Sequence, residues 1–304
     1  MLIRLLIASL VLVLTSNLAR AADGPTFNTD DVDRFYRLYD ARGGHPTAEQ
    51  LQKYIDEGSS DLRKFAQMRR TTGVRIAEAI EKQPETYANA RQCLKTLPNV
   101  RTRVGAALRK FAGLYPQMKV TTITIVVGRG RPVGVTSATD QLIVIGLEAL
   151  CATDWFSPDL EDRFVYVIAH EYAHLQQVPA IVDEDHPTVL AGAVMEGAAE
   201  FVGELISGGI AYARFKDWTK GRETEIETEF AANLDSKDLS RWLYNGKGSE
   251  EWLGDLAYWV GYRIVKSYYL NAPDKRQALR DILELTDPKA FFAKSGWHPG
   301  IKLP

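Results

Sequence analysis

The spacing of apolar residues changes twice along the chain, which predicts helices, then strands, then helices again. Between residues 28 and 116, apolar side chains recur at steps of three and four, first at Val32, Phe35 and Tyr39. After Trp155 the same helical period returns and continues through most of the remaining chain. We therefore predict an α+β fold that is mostly helical, with one small sheet in the middle of the sequence.

Helix ends are marked by residues that satisfy free backbone groups. Thr47 to Gln50 has the pattern of a capping box, and Leu51, Tyr54 and Ile55 follow as the buried face of that helix. Further on, Ser157, Pro158 and Asp159 predict the start of a helix. A second long helix is predicted from Val189 to Ser207, ended by Gly208 and Gly209.

The middle segment has the composition of β-strands. β-branched residues dominate residues 120–127 and recur in residues 141–146. The intervening segment is rich in glycine and proline and contains a possible third strand at residues 134–137. This third strand is a candidate sheet edge for an extended substrate, and Arg129 and Arg131 before it are candidates for steering a carboxylate, although solvated loop charges are the more common case.

Composition fits an ordinary globular protein, since 45% of the 304 residues are apolar and 25% are charged. A formal net charge of −2 gives no basic surface for nucleic acid, so a peptide or protein substrate is the better expectation. A basic start, a short apolar run and small residues before Ala22 predict a signal peptide over residues 1–21. We expect a periplasmic or secreted protein with no stable membrane anchor after cleavage; a retained anchor is the alternative.

Two cysteines remain after that segment, Cys93 and Cys151. Export permits a disulfide, but two buried free thiols fit the sequence as well. Neither cysteine lies near the candidate metal motif.

The strongest chemical signal is the pattern His-Glu-x-x-His at residues 170–174. Residues four apart lie on one face of a helix, so His170 and His174 can bind one Zn²⁺. Glu171 then lies beside the metal and is the candidate general base. Histidines placed by chance at helical spacing are the alternative.

A third ligand is predicted on the next helix, where Glu196 and Glu200 lie one turn apart. We assign Glu196 to the metal and Glu200 to a ligand histidine's second ring nitrogen. Gly197, Ala198 and Ala199 are expected to let this helix approach the first one closely. Two solvated helix charges are the alternative.

These motifs resemble the gluzincin clan of zinc metallopeptidases, in which a glutamate on a downstream helix completes the site. The chain also resembles a bacterial family of predicted zinc-dependent proteases similar to gliding-motility-type envelope proteins. The segments that carry this second resemblance are residues 54–59, 143–148, the two metal motifs and residues 258–263. The resemblance implies a small sheet packed beside the zinc-bearing helices.

Gluzincins also supply a tyrosine or histidine to the oxyanion, and Tyr258 and Tyr262 are the candidates here, with an ordinary core position as the alternative. His186, His45 and His298 are expected to be loop histidines. We predict an N-terminal helical layer over residues 22–116 and a zinc metallopeptidase-like part over residues 117–304. The predicted activity is zinc-dependent peptide hydrolysis; the alternatives are a non-catalytic zinc protein of the cell envelope and a zinc hydrolase of other bonds.

Overall fold

The computed structural model describes residues 25–304, so the predicted signal peptide lies outside the described residues. The fold is α+β and mostly helical, with one four-stranded sheet. The strands are β1 (Phe27–Asn28), β2 (Ile123–Val126), β3 (Gly134–Ser137) and β4 (Leu142–Gly146). Within the described part of the chain, no helix is both long and apolar enough to cross a membrane.

The N-terminal helices precede all but the first strand. They are α1 (Asp30–Ala41), α2 (Ala48–Asp56), α3 (Ser60–Met68), α4 (Gly73–Lys82), α5 (Pro84–Ala90) and α6 (Leu97–Leu114), with a 3-10 helix at Arg91–Thr96 before α6. The predicted capping box is confirmed, since the Thr47 side chain accepts from the Gln50 amide and Gln50 caps Thr47 in return. The predicted face of α2 is confirmed as well, with Leu51, Tyr54 and Ile55 buried.

The remaining helices follow the sheet. They are α7 (Leu147–Ala152), α8 (Leu160–Gln176), α9 (Pro179–Val182), α10 (Val189–Ser207), α11 (Phe215–Trp218), α12 (Glu223–Ala231), α13 (Leu256–Asn271), α14 (Lys275–Leu283) and α15 (Pro288–Lys294). The bounds predicted for α10 are confirmed. The start predicted for α8 is wrong in detail: Asp159 is the N-cap, because its carboxylate accepts from the Asp162 amide.

The sheet has the order β1-β2-β4-β3. β1 and β2 pair in parallel, as do β2 and β4, whereas β3 runs antiparallel to β4 and lies at the edge. The third strand predicted from the sequence is therefore confirmed. The pattern of apolar residues did not reveal β1, because two residues are too few to show a period.

A continuous hydrophobic core includes residues from both the N-terminal helices and the later elements. Cys93 and Cys151 form a disulfide that joins the 3-10 helix to α7, with Cα atoms 6.4 Å apart. This answers the question that the sequence left open. The division of the chain near residue 116 stays a prediction.

Helix α10 is buried along most of its length between α8 and α13. Its crossing with α13 is close enough to require glycine on both sides. A Cβ on Gly197 would lie 2.0 Å from the carbonyl carbon of Gly261, and a Cβ on Gly261 would lie 1.7 Å from the carbonyl oxygen of Ala193. Both contacts are far inside van der Waals distance, so the two backbones pack directly on each other.

Replacing Gly197 with alanine should therefore destabilise the fold. The added methyl group meets backbone that cannot rotate away, and we expect a loss of at least about 2 kcal/mol in the free energy of unfolding, in the range of core overpacking. Gly113→Ala in α6 is the matched control, since a Cβ there meets nothing within 4 Å. Urea unfolding of both variants measures the difference. Equal midpoints for Gly197→Ala and wild type would contradict the close crossing.

Candidate metal centre

Helix α8 presents two histidines to the interior one turn apart. His170 and His174 are both buried, and their Nε2 atoms lie 2.9 Å from each other. The spacing of four residues places both rings on the same face of the helix. Two imidazole nitrogens therefore point at one common position.

Helix α10 adds a carboxylate to the same position. Oε2 of the buried Glu196 lies 3.2 Å from Nε2 of His170 and 3.0 Å from Nε2 of His174. These three residues form a group whose candidate ligand atoms all lie within 4.8 Å of one another. In the part of the chain that the structure describes, no fourth histidine, cysteine or acidic residue joins this group.

The glycine that was predicted to bring α10 close to α8 faces the other neighbouring helix. Gly197 faces α13, whereas a Cβ on Gly203 would lie 3.5 Å from the backbone nitrogen of His170. The expectation that Gly197 lets α10 approach α8 is therefore wrong. Sequence spacing alone does not tell which of two neighbouring helices a small residue faces.

The proton on His174 is fixed by Gln177, which the sequence did not single out. Nε2 of Gln177 donates to the carbonyl of Met195 at 2.9 Å, so its Oε1 turns toward Nδ1 of His174 at 2.6 Å. An amide oxygen can only accept, so Nδ1 of His174 carries the proton. The lone pair of His174 is then on Nε2 and faces the centre.

Glu200 has the corresponding position behind His170. Its Oε1 lies 3.0 Å from Nδ1 of His170, and its Oε2 accepts from the amide of Ala211 at 3.0 Å. The Nδ1 contact is less well aligned than an ideal hydrogen bond. The negative charge of Glu200 nevertheless favours a proton on Nδ1, which leaves the lone pair of Nε2 facing the centre.

The centre thus brings together three acceptors and no fixed donor, an arrangement that needs a cation or a proton. Burial alone would lower the pKa of His170, but the carboxylates of Glu196 and Glu200 outweigh burial and raise it to about 10. In Glu196 burial acts to raise the pKa, yet His174 and His170 together lower it below its ordinary value. Without a metal, a proton on the histidine pair compensates the carboxylates.

The distances also fit a metal ion. A tetrahedral zinc ion with bonds of about 2.0 to 2.1 Å separates neighbouring ligand atoms by roughly 3.3 Å. The three separations in this structure are 2.9, 3.0 and 3.2 Å. Outward shifts of a few tenths of an ångström would therefore accommodate Zn²⁺. Two histidines and one carboxylate are also a ligand set found in catalytic zinc sites.

Glu171 lies beside these ligands but points toward the sheet edge. Its Oε2 accepts a hydrogen bond of 2.7 Å from the hydroxyl of Thr136 in β3. A Cβ on Gly134 would lie 2.3 Å from Oε1 of Glu171, so a larger residue at this position would displace the carboxylate. Thr136 and Gly134 therefore hold Glu171 between the histidines and the edge strand.

A cavity of about 1200 Å³ opens on this centre. His170, Glu171, His174 and Glu196 all contribute to its wall, and all four residues of β3 lie along it. The candidate ligands therefore have access to a space large enough for several residues of a peptide.

The two tyrosines predicted to assist at this site have different positions. Tyr258 lines the cavity, and its ring stacks on that of His170 with centroids 6.0 Å apart. Tyr262 instead donates to Glu204 at 2.7 Å and accepts from Lys266 at 2.7 Å, and it does not line the cavity. One helical turn moves Tyr262 about 6 Å along α13 from Tyr258. Tyr262 therefore lies outside the cavity wall, and this geometry does not support its predicted catalytic role.

Tyr244 occupies a position near the centre that sequence reasoning missed. It lines the cavity with 56% of its surface exposed, at a backbone φ of 59°. Partial desolvation at the cavity wall, followed by the negative charge of Glu196, raises the pKa of Tyr244 above its ordinary value. Asn245 fixes this segment by exchanging backbone and side-chain hydrogen bonds with Asp255. Tyr244 carried no signal because it lies in a loop without periodicity.

The other histidines are not part of the site. His186, His45 and His298 are exposed and do not line the cavity. His186 lies in the loop before α10, where its carbonyl accepts from Lys237. The three therefore have the loop positions that the sequence predicted.

Comparison with known proteins gives one match. The model of a family described as "Predicted Zn-dependent protease (DUF2268)" matches residues 155–285. No curated protein and no solved structure matched the chain. The matched residues include α8, α10 and α13, which carry the three candidate ligands and Tyr258. Over this segment the chain is thus similar to a family of predicted zinc-dependent proteases, and the similarity covers His170, His174 and Glu196.

Proposed function

We propose that this protein is a zinc-dependent peptidase that hydrolyses peptide bonds with Glu171 as general base. One observation carries the proposal: His170, His174 and Glu196 converge on one point at the wall of a large cavity. A structural zinc site is closed by a fourth protein ligand, whereas a catalytic site keeps one position open. Among residues 25–304, no fourth ligand joins these three.

When bound, Zn²⁺ supplies a Lewis acid that polarises the scissile carbonyl and makes water more acidic. His170, His174 and Glu196 would hold the ion. Glu171 accepts a proton from the attacking water and passes it to the leaving amine. The hydrogen bond from Thr136 orients that carboxylate for the task.

The tyrosines at the cavity wall have the chemistry for stabilising negative charge on the carbonyl oxygen. Tyr258 and Tyr244 both face the cavity, and the pKa of each is raised, first by burial, so their hydroxyls stay protonated and can donate. β3 is an edge strand that lines the cavity, so it can offer backbone groups to an extended substrate. A peptide or protein is therefore the proposed substrate.

We also propose that the protein acts in the periplasm or outside the cell. The disulfide between Cys93 and Cys151 supports this, since such bonds persist mainly in oxidising compartments. The N-terminal pattern of residues 1–21 supports the same location.

Glu171→Gln should separate metal binding from catalysis. The amide keeps the size of the side chain but cannot accept the proton, so we expect hydrolysis of a random peptide library to fall about 10² to 10⁴-fold. Zinc content, measured by mass spectrometry of the metal, should stay at the wild-type value. His174→Ala is the reference for metal loss.

If the wild type contains zinc but cleaves no peptide beyond those that Glu171→Gln also cleaves, the non-catalytic alternative is favoured. Cleavage of esters but not peptides by the wild type would favour a hydrolase of other bonds.

Zinc binding should release a proton. Because the pKa of His170 is raised to about 10 in the metal-free protein, its ring is charged at pH 7.5 and must lose that proton to coordinate zinc. The release should decline as the pH rises through 10. Calorimetric titration of metal-free protein with Zn²⁺, in buffers of different ionisation enthalpy, counts the protons. Binding that releases none at pH 7.5 would contradict this.

Three tyrosine variants test the oxyanion role. Tyr258→Phe and Tyr244→Phe remove hydroxyls that face the cavity, and loss of a donor to the oxyanion lowers kcat by about 10² to 10³-fold. Tyr262→Phe is the control, since its hydroxyl is held by Glu204 and Lys266. We expect at least one of the first two variants to lose kcat while retaining zinc. A loss confined to Tyr262→Phe would refute the assignment.

A further inference from the structure

The two ends of the cavity carry opposite charge. At the start of β3 its wall includes Arg69, Arg129 and Arg131. Beyond the end of β3 the wall includes Asp183, Glu184 and Asp185. A substrate lying along β3 therefore passes from a cationic end to an anionic end, with the metal centre between them.

The arginine end lacks acidic partners. None of Arg69, Arg129 and Arg131 forms a salt bridge with any residue in the range 25–304. Nε of Arg129 is buried without a hydrogen-bond partner. Burial, and then the charges of Arg131, Arg75 and Arg69, lower the pKa of Arg129. Uncompensated like charges held together at a cavity wall favour an anionic ligand.

The loop that carries Arg129 is anchored from the buried side. Oε1 of Glu148 accepts from the amide of Gly128 at 3.0 Å and from that of Gly130 at 2.9 Å. The Tyr87 hydroxyl donates to the carbonyl of Gly128 at 3.1 Å. Arg129 thus lies between two fixed glycines, and its Nη2 donates to the carbonyl of Arg69 at 3.2 Å, so its guanidinium is held in place before a ligand arrives.

The direction of β3 determines which end of a bound peptide lies at the arginine end of the cavity. Gly134 contacts Glu171, and Arg131 lies three residues earlier in the loop before β3, so at most about 10 Å of chain separates the two. That distance corresponds to roughly three residues of an extended peptide. A peptide antiparallel to β3 has its C-terminal side at the arginines, whereas a parallel peptide would have it at Asp183, Glu184 and Asp185.

We propose that the arginine end, Arg129 and Arg131 above all, binds a substrate carboxylate on the C-terminal side of the scissile bond. This rests on the proposed peptidase function and assigns a substrate class to it: peptides anionic on that side, bound antiparallel to β3. The carboxylate is either the C-terminus of the peptide or an Asp or Glu side chain within about three residues of the cleaved bond.

The test uses random peptide libraries with three kinds of end. One has a free C-terminal carboxylate and no acidic residue, the second is amidated and contains Asp and Glu, and the third is amidated without acidic residues. Mass spectrometry locates the cleaved bonds, and initial rates compare the libraries. We expect roughly three- to tenfold faster cleavage of one or both anionic libraries than of the third, as one or two partly exposed ion pairs give.

Arg131→Glu reverses the charge at the arginine end. Because Arg131 is exposed, we expect the variant to fold, so a changed preference reports on the charge and not on misfolding. The variant should lose the preference for anionic peptides and gain one for Lys or Arg at the same positions. Arg109→Glu on α6 is the matched control, because Arg109 is exposed and does not line the cavity. It should keep the wild-type preference.

A binding measurement separates the two proposals. Zinc-loaded Glu171→Gln is mixed with fluorescent peptides from the three libraries, and anisotropy reports binding without turnover. If the wild type cleaves none of the libraries but Glu171→Gln binds anionic peptides more tightly, the peptidase proposal is refuted and the carboxylate site is retained. Equal cleavage and equal binding of all three libraries, or an unchanged preference in Arg131→Glu, would overturn the carboxylate site.

Discussion

The arrangement of this protein depends on three buried acceptors that face one another. The Nε2 atoms of His170 and His174 and a carboxylate oxygen of Glu196 lie 2.9 to 3.2 Å apart. Buried polar groups without a donor are costly, so such a cluster persists only with a compensating proton or cation. Gln177 and Glu200 fix the outer ring nitrogens, which leaves the inner ones free to bind.

The helices around this cluster are held close by glycine. Gly197 with Gly261 lets α13 pack directly on α10. Glu196 is adjacent in sequence to Gly197, so the packing that fixes α10 also fixes the third candidate ligand. The same crossing brings Tyr258 of α13 to the wall of the cavity.

The sheet contributes its edge to the site. β3 supplies Thr136 and Gly134, which position Glu171, and it separates the arginine end of the cavity from the acidic end. The proposed general base and the proposed direction of the substrate both depend on this strand of four residues.

The sequence by itself determined the local features. Helical spacing was enough to bring His170 and His174 to one face, and Gly208 marked the end of α10. The fold class and the edge candidate β3 followed from period and β-branched composition. Local sequence determines such features because helix and strand periods and capping bonds act over a few residues.

Only the tertiary structure decided which residues from distant segments come into contact. It paired Cys93 with Cys151, brought Gln177, Thr136 and Tyr244 to the candidate metal centre, and left Tyr262 outside the cavity wall. It also showed that Gly197 faces α13 and not α8. Helix rotation and loop position depend on packing between elements far apart in sequence, and neither leaves a periodic pattern in the chain itself.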